Sequence, residues 1–179
     1  YLMFLGLDIS TSITGISLVD KRGELLLCDH VDTRKTKNFF EKVEIIKEYL
    51  ARHRYTQTVV KEIWIEQSLQ SFRSGFSSAQ TLSTLARFNG VISWIVYKAY
   101  GIEPQYLAAS SARKLSGVTI KRGEKAKEKV LEYLLDTEPL FKVEYIKHGN
   151  PKPGYYDRAD SLIVAKAARE LWNQKNSTS

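Results

Sequence analysis

Phe4-Leu5-Gly6-Leu7-Asp8-Ile9-Ser10 is the stretch on which the reading of this chain turns. Leu2 to Ile9 is apolar almost without interruption, the pattern of a strand covered on both faces rather than one. A carboxylate at the end of such a strand is costly to desolvate unless a cation or a hydrogen-bond donor compensates it. The same ending recurs downstream. Val59 to Glu66 reads as a strand with Ile63 and Ile65 on one face and Trp64 on the other, and Glu66 closes it. Each acid also has a plainer reading: Asp8 as the cap of a turn through Thr11 and Ser12, Glu66 as a solvated strand end. Glu62 lies farther from the carboxyl end of its strand.

Working outward, Gly15 to Val19 continues in strand pattern, Lys21-Arg22-Gly23 reads as a hairpin turn, and Glu24 to Val31 is a third strand. The period then changes: Phe39, Val43, Ile46 and Leu50 recur at helical spacing, and the spacing predicts a helix to about Arg54. Ser77 to Tyr100 reads as a long helix striped by Leu82, Leu85, Phe88, Ile92 and Val96. Gln105 to Ala108 is a short strand, and Ser110 or Ser111 would cap a brief helix. Further helices are expected over Glu124–Leu135 and Asp157–Trp172. This order predicts an α/β chain with a mixed sheet, an antiparallel three-strand meander followed by two parallel strands, flanked by helices. A single domain over residues 1–172 and a frayed tail over 173–179 are expected. In open α/β sheets, function collects beyond the carboxyl ends of the central strands, where Asp8 and Glu66 fall.

A third acidic element is Tyr155-Tyr156-Asp157-Arg158-Ala159-Asp160-Ser161. Residues three apart on a helix share a face. Continuing from Asp157 and Asp160, that face carries Val164, Ala167, Ala168 and Leu171, so both carboxylates are expected to point at the sheet. A capping pair at the helix start is the competing reading. Four acids converging on one sheet edge would repel one another unless divalent ions neutralised them, and hard oxygen ligands suit Mg²⁺ or Mn²⁺. Two such ions about 4 Å apart can activate water and stabilise a departing oxygen in phosphodiester cleavage.

Composition narrows the field. The chain has 179 residues, 43% hydrophobic and 26% charged, which suits a packed globular chain. Its 27 basic residues against 20 acidic give a net charge of +7, and the pI near 9.4 invites a nucleic-acid partner. One cysteine, Cys28, excludes an internal disulfide and points to a reducing, cytoplasmic setting. No segment approaches the ~20 apolar residues of a membrane helix. There is no Gly-rich phosphate loop with a following Lys and no cysteine pair for zinc, and His30, His53 and His148 lack ligand spacing.

Phe4-Leu5-Gly6-Leu7-Asp8-Ile9-Ser10 with Thr14-Gly15, then Ile65-Glu66-Gln67, then Asp157-Arg158-Ala159-Asp160-Ser161, together resemble the acidic motifs of RuvC-type Holliday-junction resolvases, in order and spacing from Leu2 to about Ala168. The resemblance implies an RNase H-like fold, a homodimer, and Mg²⁺-dependent symmetrical nicking of four-way DNA junctions. It assigns the catalytic, metal-binding set to Asp8, Glu66, Asp157 and Asp160. The Asp8 segment also resembles the phosphate loop of sugar kinases and actin-like ATPases, which need a second domain. The segment after Glu66 and the Pro/Gly loop near Lys152 depart from the bacterial pattern, as a divergent or phage-type member would.

For DNA, the expected contacts are the basic residues Arg113, Lys114, Lys121, Arg122, Lys125 and Lys129, which would neutralise phosphates. The polar loop after Glu66 adds Phe72, Arg73 and Phe76, aromatics suited to stacking on unpaired bases. Lys127 belongs to the same basic run, and a solvated helix explains that run equally well. The long helix, with small residues at Ala79, Ala86, Gly90 and Ser93, is the expected dimer surface. A nuclease for RNA–DNA hybrids and a catalytically silent junction-binding module are the alternatives.

Overall fold

The structure, a computed structural model, describes residues 2–67 and 78–177. The loop expectations on Phe72, Arg73 and Phe76 therefore lie outside the described residues. Strands β1 (Met3–Asp8), β2 (Ile13–Asp20) and β3 (Leu25–Asp32) form the antiparallel meander. Helix α1 (Phe39–Arg52) and a short 3₁₀ turn lead to β4 (Val60–Glu66), then α2 (Ala79–Tyr100), β5 (Gln105–Leu107), α3 (Ala109–Ser116), α4 (Ala126–Thr137) and α5 (Tyr155–Asn176). The strands order as β3-β2-β1-β4-β5, with β4 parallel to β1 and β5 parallel to β4.

The doubly covered strand pattern is explained by two cores, one on each face. Leu5, Leu7, Ile63 and Ile65 pack with α1 and α2, whereas Phe4 and Trp64 pack with α3, α4 and α5. Trp64 thus faces away from its two isoleucine neighbours, as alternation requires. Its indole Nε1 donates to Glu62 Oε1 at 3.3 Å, which accounts for that acid.

Two glycines set how closely α5 lies on the sheet. A Cβ on Gly6 would collide with the backbone of Ser161 and Ala165, and one on Gly15 with the carbonyl of Asp157. Only a residue without a side chain permits this approach. Buried Ser17 and Ser161 then join across the contact at 2.7 Å.

Several local expectations shift. Helix α5 starts two residues early, at Tyr155, because Gly154 adopts φ +100° and turns the chain into the helix. It also runs through Asn173 to Asn176, where a frayed tail was expected. Helix α4 begins at Ala126 with Lys125 as its N-terminal flank. Neither Ser110 nor Ser111 caps α3; Ala108 holds that position without a side-chain bond. Among the described residues no helix is long and apolar enough to cross a membrane.

Candidate active site

β1 and β4 are adjacent and parallel, so their acidic ends meet at the same sheet edge, and α5 crosses above them. Carboxylate oxygens of Asp8, Glu66 and Asp160 all lie within 4.8 Å of one another. The three come from β1, β4 and α5, separated by long stretches of sequence. Asp157 is outside this trio. It occupies the first turn of α5, half-buried, with its backbone carbonyl against Gly15.

The turn-cap reading of Asp8 and the capping-pair reading of α5 both fail. Ser10 and Thr14 close the turn after β1: the Thr14 hydroxyl donates to Ser10 O at 3.1 Å and accepts from Ser10 N at 3.3 Å. Asp8 is thereby left to face the other acids. At α5, Gly154 is the cap residue, so Asp157 and Asp160 do not form the capping pair.

The electrostatics follow from the crowding. Burial pushes Asp8 well above the usual carboxylate range, and the charges of Glu66, Asp160 and Asp157 push it further. Asp160 rises to about 7, first through burial and then through Glu66 and Asp157, against an opposing pull from Arg113 and Lys127. Burial also raises Glu66, while a hydrogen bond shared with Asp8 and the charge of Arg113 oppose the shift. Asp157 is raised by burial and held back by its own backbone N–H, Lys127 and Arg34. Half-buried acids that cannot all ionise together form a donor set suited to a hard divalent cation.

The basic candidates divide. Arg113 lines a small cleft with Glu66, Asp160, Ala109 and Ile163, and is thus part of the site. Lys114, Lys121 and Arg122 are exposed. Lys125 reaches Glu128 at 3.8 Å. Lys129 is paired with Glu124, just before α4, at 3.4 Å and with Glu132 one turn along the helix at 3.2 Å, so its charge is already shared with two carboxylates. Lys127 instead lies 5.1 Å from the centroid of the Tyr156 ring and acts on both Asp157 and Asp160. Arg34, forked onto Asp32 by bonds of 3.0 and 2.7 Å, acts on Asp157. Sequence spacing did not separate Lys127 from its neighbours, and Arg34 carried no signal at all.

The sheet order and flanking helices define the RNase H-like fold. Among solved structures, the chain is similar to Thermus thermophilus RuvC in complex with a Holliday junction substrate, at TM-score 0.70 and 14% identity over 97% of this chain and 96% of that one. A second Thermus thermophilus RuvC structure gives TM-score 0.67 and 17% identity with the same coverage. The yeast mitochondrial Holliday junction resolvase Ydc2 gives 0.59 and 15%, over 97% of this chain and 80% of that one. No protein-family profile and no curated protein sequence matches. At these identities the likeness establishes the fold.

Proposed function

We propose that this chain is a metal-dependent endonuclease that resolves four-way DNA junctions by paired, symmetrical nicks. The observation that carries this reading is the meeting of Asp8, Glu66 and Asp160 at one sheet edge. The fold similarity to two junction-resolving proteins supports it, as does the net charge of +7.

Asp8, Glu66 and Asp160 would hold Mg²⁺ or Mn²⁺, with Asp157 as the fourth ligand, two ions serving each site. The ions, when bound, supply the positive charge that activates a water and stabilises the departing oxygen. Arg113 stands beside Glu66 and Asp160, where its guanidinium can orient a phosphate oxygen. Lys127, resting on Tyr156, and Arg34 ring the same acids and counter the charge of an incoming backbone. Arg113 and the exposed Lys114, Lys121, Arg122 and Lys125 extend the contact along the duplex arms; Lys129 joins them only by releasing its two glutamates. Phe72, Arg73 and Phe76 are proposed to meet unpaired bases at the branch.

A junction of near two-fold symmetry calls for two sites in one isologous homodimer. The surface proposed for it is the α1–α2 groove lined by Phe39, Phe40, Arg87, Gly90, Val91 and Trp94. Phe40 and Trp94 are 69% and 58% exposed, and a Cβ on Gly90 would meet nothing within 4 Å. Exposed aromatics around an open glycine form the kind of apolar patch that a second copy covers. One domain over residues 1–172, working with DNA in the cytoplasm, completes the reading.

The test is incubation with an immobile four-way junction, a linear duplex and an RNA–DNA hybrid in Mg²⁺. Paired nicks across the branch support the proposal. Hybrid-only cleavage, or a junction bound by the native protein and left intact, contradicts it.

A further inference from the structure

Between α4 and α5 the chain builds a hairpin outside the acidic site. Tyr145 pairs with Pro151 in an antiparallel bridge. Ile146 N donates to Asn150 O at 2.8 Å, Lys152 N to Glu144 O at 2.9 Å, and Gly149 N to Ile146 O at 2.9 Å. Gly149 takes φ +88°, the left-handed conformation that the tip requires. Pro151 and Pro153 stiffen the returning arm, and a Lys152–Glu144 ion pair of 3.0 Å closes the base. A segment so well bonded internally presents its tip preformed, which lowers the entropy lost on binding.

The tip combines apolar and positive chemistry. Every residue from Glu144 to Asn150 is exposed, with Tyr145 at 49% and Ile146 at 43%. Glu144 is already engaged by Lys152. Among the described residues Lys147 forms no ion pair, so its charge is uncompensated, and His148 stands beside it. The returning arm runs through Pro153-Gly154 directly into α5, where Asp157 and Asp160 follow. Tyr145 also shares a groove of about 320 Å³ with Tyr156, the residue under Lys127. The α4 wall of that groove carries Glu128, Glu132 and Asp136. Those carboxylates repel a polyanion, which leaves the outer side and the tip as the surface a nucleic acid can approach.

We infer that this hairpin is a DNA-contacting arm: Lys147 takes a backbone phosphate of one junction arm while Tyr145 and Ile146 pack against a base step opened near the branch. Lys147 thereby supplies sequence-independent affinity, and the apolar pair acts as a wedge on distorted DNA. The inference rests on the nuclease reading and adds to it a contact surface on the α5 side of the acids.

The experiment measures binding of the full chain to an immobile four-way junction carrying 2-aminopurine beside the branch, with Ca²⁺ replacing Mg²⁺. Lys147→Ala should weaken the Kd about 3–10-fold and flatten the slope of log Kd against log salt by about 1. The double variant Tyr145→Ala/Ile146→Ala should lose at least half of the 2-aminopurine signal at saturation while keeping the native salt slope. Arg52→Ala, in the last turn of α1, should match the native chain in both. If both hairpin variants reproduce the native Kd, slope and signal, the inference is overturned and the nuclease reading stands. If the native chain itself prefers linear duplex to the junction, both go.

Discussion

Arg158 Nε donates to His30 Nδ1 at 2.7 Å, joining residues 128 positions apart. The same guanidinium bonds Asp29 Oδ1 at 3.2 Å and lies 4.8 Å from the centroid of the Tyr155 ring. The other oxygen of Asp29 accepts from the Tyr49 hydroxyl at 2.9 Å, which carries the connection to α1. Burial and the charge of Arg158 hold His30 below its ordinary pKa, so the ring stays neutral and can accept. Arg158 sits between Asp157 and Asp160. The clasp therefore ties the first turn of α5, which carries Asp157, to β3, and Asp160 follows one turn later.

Replacing Arg158 by Leu should remove the clasp and leave Asp29 a half-buried charge held only by neutral donors, the Tyr49 hydroxyl at 2.9 Å and the His30 backbone N–H at 2.8 Å. The expected loss is about 1–3 kcal/mol of stability, read from urea midpoints. Mn²⁺ affinity should fall about 10–100-fold, the usual scale for losing a group that orients a ligand. Arg158→Lys should recover part of the stability and little of the affinity, because an ammonium cannot reproduce the fork.

Gly15→Ala would force a methyl into the carbonyl of Asp157. Backbone cannot give way as a flexible side chain can, so the cost should be about 3 kcal/mol or more, with loss of metal binding. Thermal melts with and without Mn²⁺ measure both. A native Tm and a native Mn²⁺ response would show that α5 does not depend on this contact.

The raised carboxylates give the metal-free protein a defined pH response. A group with a higher pKa folded than unfolded binds more protons in the folded state, so stability falls as pH rises between the two values. For Asp160 that window runs from the ordinary value of 3.8 to about 7. Tm without metal should drop across it. Mg²⁺ should restore more stability at pH 7.5 than at pH 5, because protons compete for the same oxygens. His30 has the opposite sign, its stability contribution being lost as pH falls below 6.5, so the metal-dependent difference is the diagnostic quantity.

Trp94→Ala should weaken self-association by tenfold or more in sedimentation equilibrium, since a central exposed aromatic is the type of residue that dominates an interface. A native dimerisation constant in this variant would move the interface away from the α1–α2 groove.

The acidic trio was legible because its parts are local patterns. Asp8 and Glu66 each end an apolar run, and Asp160 lies in line with a helix stripe, so each could be placed on an edge or face before any contact was known. The parallel pairing of β1 with β4 brings the first two together, and the packing of α5 across these strands adds the third. The Arg158 clasp was not legible, because it depends on the position of β3 under the start of α5. Lys127 and Lys129 look alike in sequence; only the positions of Glu124, Glu132 and Tyr156 tell the lysine that rests on a ring from the one paired with carboxylates. The start of α5 was misplaced because Gly154 was read as part of a loop, whereas its positive φ directs the chain into the helix. Asp157 shares a helix turn with Asp160 but stands outside the tight trio, a distinction that spacing alone does not make.

Calorimetric titration of Mn²⁺ into the native chain and into Asp8→Asn, Glu66→Gln and Asp160→Asn, each at pH 7.5, bears most directly on whether these oxygens share ions. Saturable binding to the native chain, weakened at least tenfold in all three variants, is the expected result. Equal binding by the native chain and the variants, or none by any of them, would contradict the shared cation site and with it the nuclease.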